Sequence, residues 1–296
     1  MKILRKKFTE FPFALGAPAL IWQVLFFYVP LFIIVCSSFL AFSDLGAIQG
    51  LTLKKISIFL TPTYMRVIFS SVALGISNAA ICFLIAYPLA YFMAFRGKKI
   101  KNFLLLLLII PFWTNFLLHV YAWFFVLERE GFLNNLLLSI GLIHEPIEFM
   151  NSIFATMVMM VYYYLPFMVL PIYSSLEKFD YRLIEASVDL GASWFQTLRR
   201  IMLPLSLTGI RSGFFLVYIP SFGEFAIPEL MGGDKQMFVG SVVARYILGD
   251  ETGSLGAAFT LVSCFVLLIS TVLLYLFLNA VLTPKFTSKG SYDFKK

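Results

Sequence analysis

Along this chain hydrophobic residues gather in long unbroken runs, separated by shorter stretches that hold most of the charge. Six runs stand out, at about Ala14–Phe42, Arg66–Phe95, Asn102–Leu127, Asn151–Leu176, Leu205–Leu230 and Ala257–Leu282. A run of about 20 apolar residues wound as an α-helix crosses roughly 30 Å of hydrocarbon. Membrane-spanning strands would instead show alternating segments of about ten residues, and no such rhythm is visible. The pattern predicts an all-α integral membrane protein with six transmembrane helices: a short segment 1–13, a membrane domain 14–282 and a tail 283–296.

Composition agrees with this reading. Of 296 residues 60% are hydrophobic, 18% aromatic and 13% charged, against about 25% charged in a soluble domain. The first run follows Lys2, Arg5, Lys6 and Lys7 as a signal peptide would, but it is too long, and no small-residue cleavage site follows it. It reads as a retained span.

The sign of the charge sets the orientation. Basic residues cluster before the first span, in the second-to-third connector (Arg96, Lys98, Lys99, Lys101), in the fourth-to-fifth connector (Lys178, Arg182, Arg199, Arg200) and in the tail (Lys285, Lys289, Lys295, Lys296). The other connectors are poorer in base and partly acidic. Basic loops stay cytoplasmic, so both termini are expected there, in a cytoplasmic (inner) membrane. The net charge of +7 is then topological, and nucleic-acid binding is not implied.

Chemistry of its own is hard to find. Cys36, Cys82 and Cys264 fall inside apolar runs, and His119 and His144 lie far apart. "HEPIE" (144–148) lacks the second histidine of a zinc-protease helix, and no G-x-x-x-x-G-K-[ST] loop is present to cradle ATP phosphates. No cofactor or metal is expected on this chain, and it does not read as an enzyme. In the outer connector 131–142, Phe132, Leu136 and Ile140 share one helical face, which suits an interfacial helix or a re-entrant plug equally well.

One connector is far too elaborate for its topological task. "EASVDLGASWFQTLRRIMLP" (185–204) is amphipathic and interrupted by a glycine. Asp180 can cap a helix running through Leu190, with Tyr181, Ile184 and Val188 in one stripe. Gly191 suits a left-handed helix end. Ser193 and Gln196 form a capping box that opens a second helix, and Pro204 can begin the next span. An amphipathic hairpin resting on the inner leaflet is the plain structural explanation. A rigid element gripped by a cytoplasmic partner is the functional one.

The pattern E-A-A/S-x-x-x-G-x9-I-x-L-P is met by Glu185, Ala186, Ser187, Gly191, Ile201, Leu203 and Pro204. It resembles the EAA loop of permease subunits of ATP-binding-cassette importers, with Ser187 where alanine is commoner. "LLIIPFWTNFLLHVYAW" (107–123), "LPFMVLPIYSSLEKFD" (165–180) and "IPSFGEFAIPELMGG" (219–233) resemble the polyamine (spermidine/putrescine) branch of those permeases. With the loop, here 177–204, they cover about two thirds of the chain. The resemblance implies a type I ABC importer permease fold and no catalytic residues. It also implies four kinds of partner: a dimer of cytoplasmic ATPase subunits that bind ATP and Mg²⁺, a second permease, an extracytoplasmic substrate-binding protein, and membrane lipid.

A polyamine needs carboxylates for its ammonium groups and aromatic faces for cation–π contact, each worth about 0.5–2 kcal/mol. Ionisable groups inside a span tend to face a bundle interior or a wet cavity. Glu224, between Pro220 and Pro228 and flanked by Phe222 and Phe225, meets this description, and the prolines predict a break in its helix. Glu229, Trp113, Asn115, Tyr121 and Tyr163 complete the candidate pathway. Each has a plainer explanation: interfacial anchoring for the aromatic residues, interhelical bonding for Asn115, a rim charge for Glu229, an ion pair with Arg211 for Glu224. An ABC importer permease for another small solute is the first alternative, and a gradient-driven carrier with broken helices and a membrane-bound enzyme remain as rivals.

Overall fold

A computed structural model describes residues 16–42, 48–97, 99–233, 236–249 and 253–282. The expected terminal segments 1–13 and 283–296, with all of their basic residues, lie outside the described residues, as do Lys98 and Lys235. Among the described residues four helices are long and apolar enough to cross a membrane: α1 (Gly16–Phe39), α3 (Pro62–Arg96), α7 (Ile153–Glu177) and α12 (Gly253–Leu282). Two bent pairs bring the total to six if each is one span.

Both bent pairs depart from the simple runs expected. The third run divides into α4 (Lys101–Trp113) and α5 (Phe116–Leu127), the latter leading into α6 (Phe132–Ser139), with a bend of 102°. Pro111 removes one helical hydrogen bond, and Asn115 leaves the helical region at φ −66°, ψ 136°. The Asn115 side chain then accepts from the Leu117 amide and caps α5. Apolar periodicity continues through these residues, so hydropathy alone could not register the elbow.

The start of the fifth run is likewise bent. α9 (Trp194–Leu205) meets α10 (Leu207–Phe222) at 70°, and Pro204 sits in the last turn before the bend instead of opening the span. The preceding turn, Leu198–Met202, widens to a π-helix, consistent with the bond that Pro204 cannot make. α10 ends at Gly223, and helix resumes at 226–232. The break foreseen between Pro220 and Pro228 is therefore real, with Pro220 tolerated inside α10.

By contacts the chain divides into two compact units. One comprises residues up to Arg66 together with Val242–Phe265. It holds α1, an antiparallel hairpin β1 (Leu40–Phe42) and β2 (Ile48–Leu51), α2 (Lys54–Phe59), and most of α11 (Val239–Leu248). Buried Phe59 packs on Tyr64, Tyr246 and Phe259, and the Tyr64 and Tyr246 hydroxyls are 2.8 Å apart.

The second unit, Val67–Ser241 with the chain from Val266, carries the candidate site. Its centre is the crossing of α7 and α10. At Gly209 an added Cβ would lie 2.5 Å from the Pro171 carbonyl and 2.7 Å from Ser175 Cβ, so only glycine permits this approach. Polar ties fix α10 further: Asn78 donates to Ser221 at 2.8 Å, and the Tyr218 and Ser270 hydroxyls meet at 2.5 Å. Met168, Ile172, Val217 and Tyr218 are buried among them.

Candidate functional site

Two regions answer to the sequence candidates. The first is the connector, where α8 (Arg182–Asp189) and α9 form a helix–turn–helix. Asp180 Oδ1 accepts from the Arg182 amide at 3.0 Å. Gly191 has φ +80°; its amide donates to Val188 O at 2.8 Å, and the Ala192 amide donates to Ser187 O at 3.0 Å. This is a Schellman helix end. Ser193 and Gln196 then exchange both capping-box bonds, at 3.4 and 2.9 Å.

Ser187 does more than its small size suggests. Its buried hydroxyl donates to Ile184 O at 2.7 Å and lies 2.9 Å from Thr197 Oγ1, bridging the two helices of the connector. The alanine common in the family would lack this tie. Rings fasten the connector to the end of α3: Tyr91 on Trp194, and Phe95 on Tyr181 and Phe179. Glu185, Ala186 and Gly191 are exposed, Ile201, Leu203 and Pro204 half-buried. Val188 (58% exposed), Leu190 (89%) and Phe195 (65%) present an apolar platform. Beside it a cleft of about 640 Å³ is lined by Ser174, Ser175, Lys178, Asp180, Thr208 and Ser212.

The second region surrounds Glu224. Tyr164, near the middle of the 25-residue α7, donates its hydroxyl to Glu224 Oε2 at 2.6 Å. Glu224 Oε1 accepts from the amides of Ala226 at 3.1 Å and Ile227 at 3.5 Å, which start the next helical segment. The carboxylate is thus bound by uncharged donors and is half-buried. Arg211, the ion-pair partner considered for it, instead lies over the Tyr275 ring at 5.1 Å. Tyr164 belongs to a cluster of five rings: it touches Tyr163 and Phe167, Tyr163 touches Phe112 and Phe116, and Phe112 touches Phe167, with centroids 5.0–6.4 Å apart.

Of the pathway candidates, the structure links Glu224 to Tyr163 through Tyr164, which bonds the one and packs on the other. Asn115 is occupied as the α5 cap. Trp113 is exposed at the end of α4, Tyr121 packs on Phe124, and Glu229 is exposed beyond the break. Phe112, Phe116 and Phe167 were not singled out from sequence, since a phenylalanine in an apolar run gives no signal of its own. Tyr162, Tyr163 and Tyr164 are consecutive on α7, and only packing distinguishes Tyr164 as the one that meets Glu224.

The family described as binding-protein-dependent transport system inner membrane component matches residues 86–288. The chain belongs to this family. It is a multi-pass inner-membrane permease of an ABC importer, and not an enzyme. The permease is 40% identical over 238 residues to the Escherichia coli (strain K12) spermidine/putrescine transport system permease protein PotB, covering 80% of this chain and 86% of that one. Its identity to the Haemophilus influenzae protein of the same name is 34% over 287 residues, 96% and 99% of the two chains. Its fold is similar to that of a bacterial ABC transporter involved in import of the acidic polysaccharide alginate, with a TM-score of 0.73 at 15% identity over 95% and 99% of the chains. Family and fold together set aside the gradient-driven carrier and the membrane-bound enzyme.

Proposed function

We propose that this permease imports a polyamine of the putrescine/spermidine class, with Glu224 and the adjoining rings on its path. The supporting observation is a carboxylate bound by a tyrosine and two amides near mid-helix depth, beside five aromatic rings. Glu224 Oε2, which has a single donor, retains acceptor capacity for an ammonium group, and the ring faces suit the charged ends and methylene spine of the same molecule. The names of its PotB relatives agree with this chemistry.

In the proposed assembly, a second permease completes the pathway, a binding protein delivers the solute from outside, and two ATPase subunits bind ATP and Mg²⁺ in the cytoplasm. Both termini face the cytoplasm, in keeping with the basic connectors. The ATPase grips the platform around Glu185–Leu190, with Gly191 and the capping box keeping it rigid, and Ile201, Leu203 and Pro204 join it to α10. Closure of the ATPase dimer then moves α9 and α10 as one lever and alternates access to Glu224. A related importer of known structure is in complex with a ligand-bound periplasmic protein, in agreement with the binding-protein partner.

The test is uptake of labelled putrescine and spermidine by the assembled transporter, wild type against Glu224→Gln. Uptake that collapses in the variant, with membrane insertion intact, is the expected result. Absence of polyamine uptake in the wild type, or an unchanged rate in the variant, defeats the reading.

A further inference from the structure

His119 is absent from the pathway just described, yet it is the most heavily bonded side chain at the elbow between α4 and α5. Its Nε2 faces the Pro111 carbonyl oxygen at 3.0 Å and makes a short contact with Thr114 Oγ1. Its Nδ1 lies 2.8 Å from the Tyr162 hydroxyl on α7. The Thr114 hydroxyl itself donates to Pro111 O at 2.9 Å. Because a carbonyl only accepts, Nε2 carries the hydrogen, and Nδ1 is left to accept the Tyr162 hydroxyl.

This bonding has a structural purpose. Carbonyls in the last turn of a helix lose their i+4 donor; Pro111 O accepts instead from the Thr114 amide at 3.3 Å and from the Thr114 hydroxyl. His119 supplies a donor from the far side of the break, and its other nitrogen anchors the bend to α7. Phe112 and Phe116 lie on opposite sides of that break, and both rest on Tyr163, at 6.4 and 5.5 Å. A change in the elbow angle would move one or both rings off Tyr163, which in turn packs on Tyr164 at 5.4 Å.

The geometry points to His119 as a positioning residue for the aromatic wall beside Glu224: with Nε2 on the elbow and Nδ1 on Tyr162, it sets the angle that presses Phe112 and Phe116 together against Tyr163. Its hydrogen bonds go to Pro111 O, Thr114 and Tyr162, not to the carboxylate. This inference rests on the reading of Glu224 and its rings as the polyamine path.

The test uses the complete transporter in proteoliposomes with polyamine-loaded binding protein, measuring solute taken up per ATP hydrolysed alongside stimulated ATPase rate. His119→Leu and Tyr162→Phe are each expected to lower uptake per ATP about fivefold, as loss of roughly one half-buried hydrogen bond at a critical geometry implies. The double variant should be no worse than the weaker single one, because both act on one contact chain. His119→Gln, which can retain an N–H towards Pro111 O, should recover part of the loss. Stimulated ATPase rate should stay within about twofold of wild type, since no bond to the coupling loop is removed. Uptake per ATP that is unchanged in the variants, losses that multiply in the double variant, or a parallel fall in ATPase rate would each overturn the inference. If His119→Leu fails to assemble, Tyr162→Phe and His119→Gln carry the same comparison. Glu224→Gln run beside them separates the two failures: uptake lost there but intact in the His119 and Tyr162 variants removes only the positioning role, whereas uptake intact in Glu224→Gln removes the site and the role together.

Discussion

The connector from Asp180 to Pro204 holds its shape through bonds between near neighbours, whereas the Glu224 site is held by a side chain 60 residues away. In the connector, Gly191, Ser193, Gln196 and Ser187 find partners within ten residues. At Glu224 two amides are local, but Tyr164 and the rings arrive on other helices. The lesson is that a lever and a binding surface are specified differently. A lever needs internal rigidity, which local capping supplies. A surface between helices exists only once those helices have packed.

The sharpest way to break this contrast is Gly191→Pro. Proline holds φ near −65°, whereas the chain here needs +80°, and it removes the amide that bonds Val188 O. Disruption of about 3 kcal/mol or more is expected in the turn, with loss of ATPase co-purification and with membrane insertion retained. Recovery of the ATPase in normal yield would show that the connector is not the lever.

Glu224→Gln comes next. The tyrosine–carboxylate bond is charge-assisted, a class worth about 1.5–3 kcal/mol, and the amide also loses its attraction for an ammonium group. Polyamine uptake should fall by about tenfold or more, with the ATPase still bound. A paired loss of ATPase binding would mean that the two regions are not separable. Tyr164→Phe sharpens the same point at smaller cost, since it keeps the ring and removes only the hydroxyl. An uptake loss of about fivefold, near 1 kcal/mol, is expected, measured at saturating binding protein.

Ser187→Ala tests the local side of the comparison. It removes the bridge to Thr197 while restoring the residue commoner in the family. A loss of about 0.5–1.5 kcal/mol, read as a lower thermal midpoint of the purified complex, is expected with docking retained. The smallest effect should come from Lys101→Ala. The Lys101–Glu177 pair, 2.8 Å apart and partly exposed, is of a type worth about 0–1 kcal/mol, and uptake should barely change.

The elbow at Thr114–Asn115 shows where hydropathy stopped being informative. Leu107–Trp123 reads as one apolar stretch, and a bend of 102° leaves no mark on it beyond a proline and an asparagine. Ser187 shows the opposite: its place in the motif is legible in the sequence, but its hydroxyl gains a partner, Thr197, only when α8 folds back on α9.

By itself, the sequence determined everything that depends on neighbours along the chain. This covers the long apolar helices, the glycine turn and capping box of the connector, and the helix break around Glu224, because length, φ and proline chemistry act over a few residues. The tertiary structure alone decided that Tyr164 and not Tyr162 binds Glu224, that Phe112 and Phe116 meet across an elbow on Tyr163, and that Arg211 turns to Tyr275. Those outcomes depend on which helix faces cross, and close approaches such as Gly209 on Pro171 set these crossings.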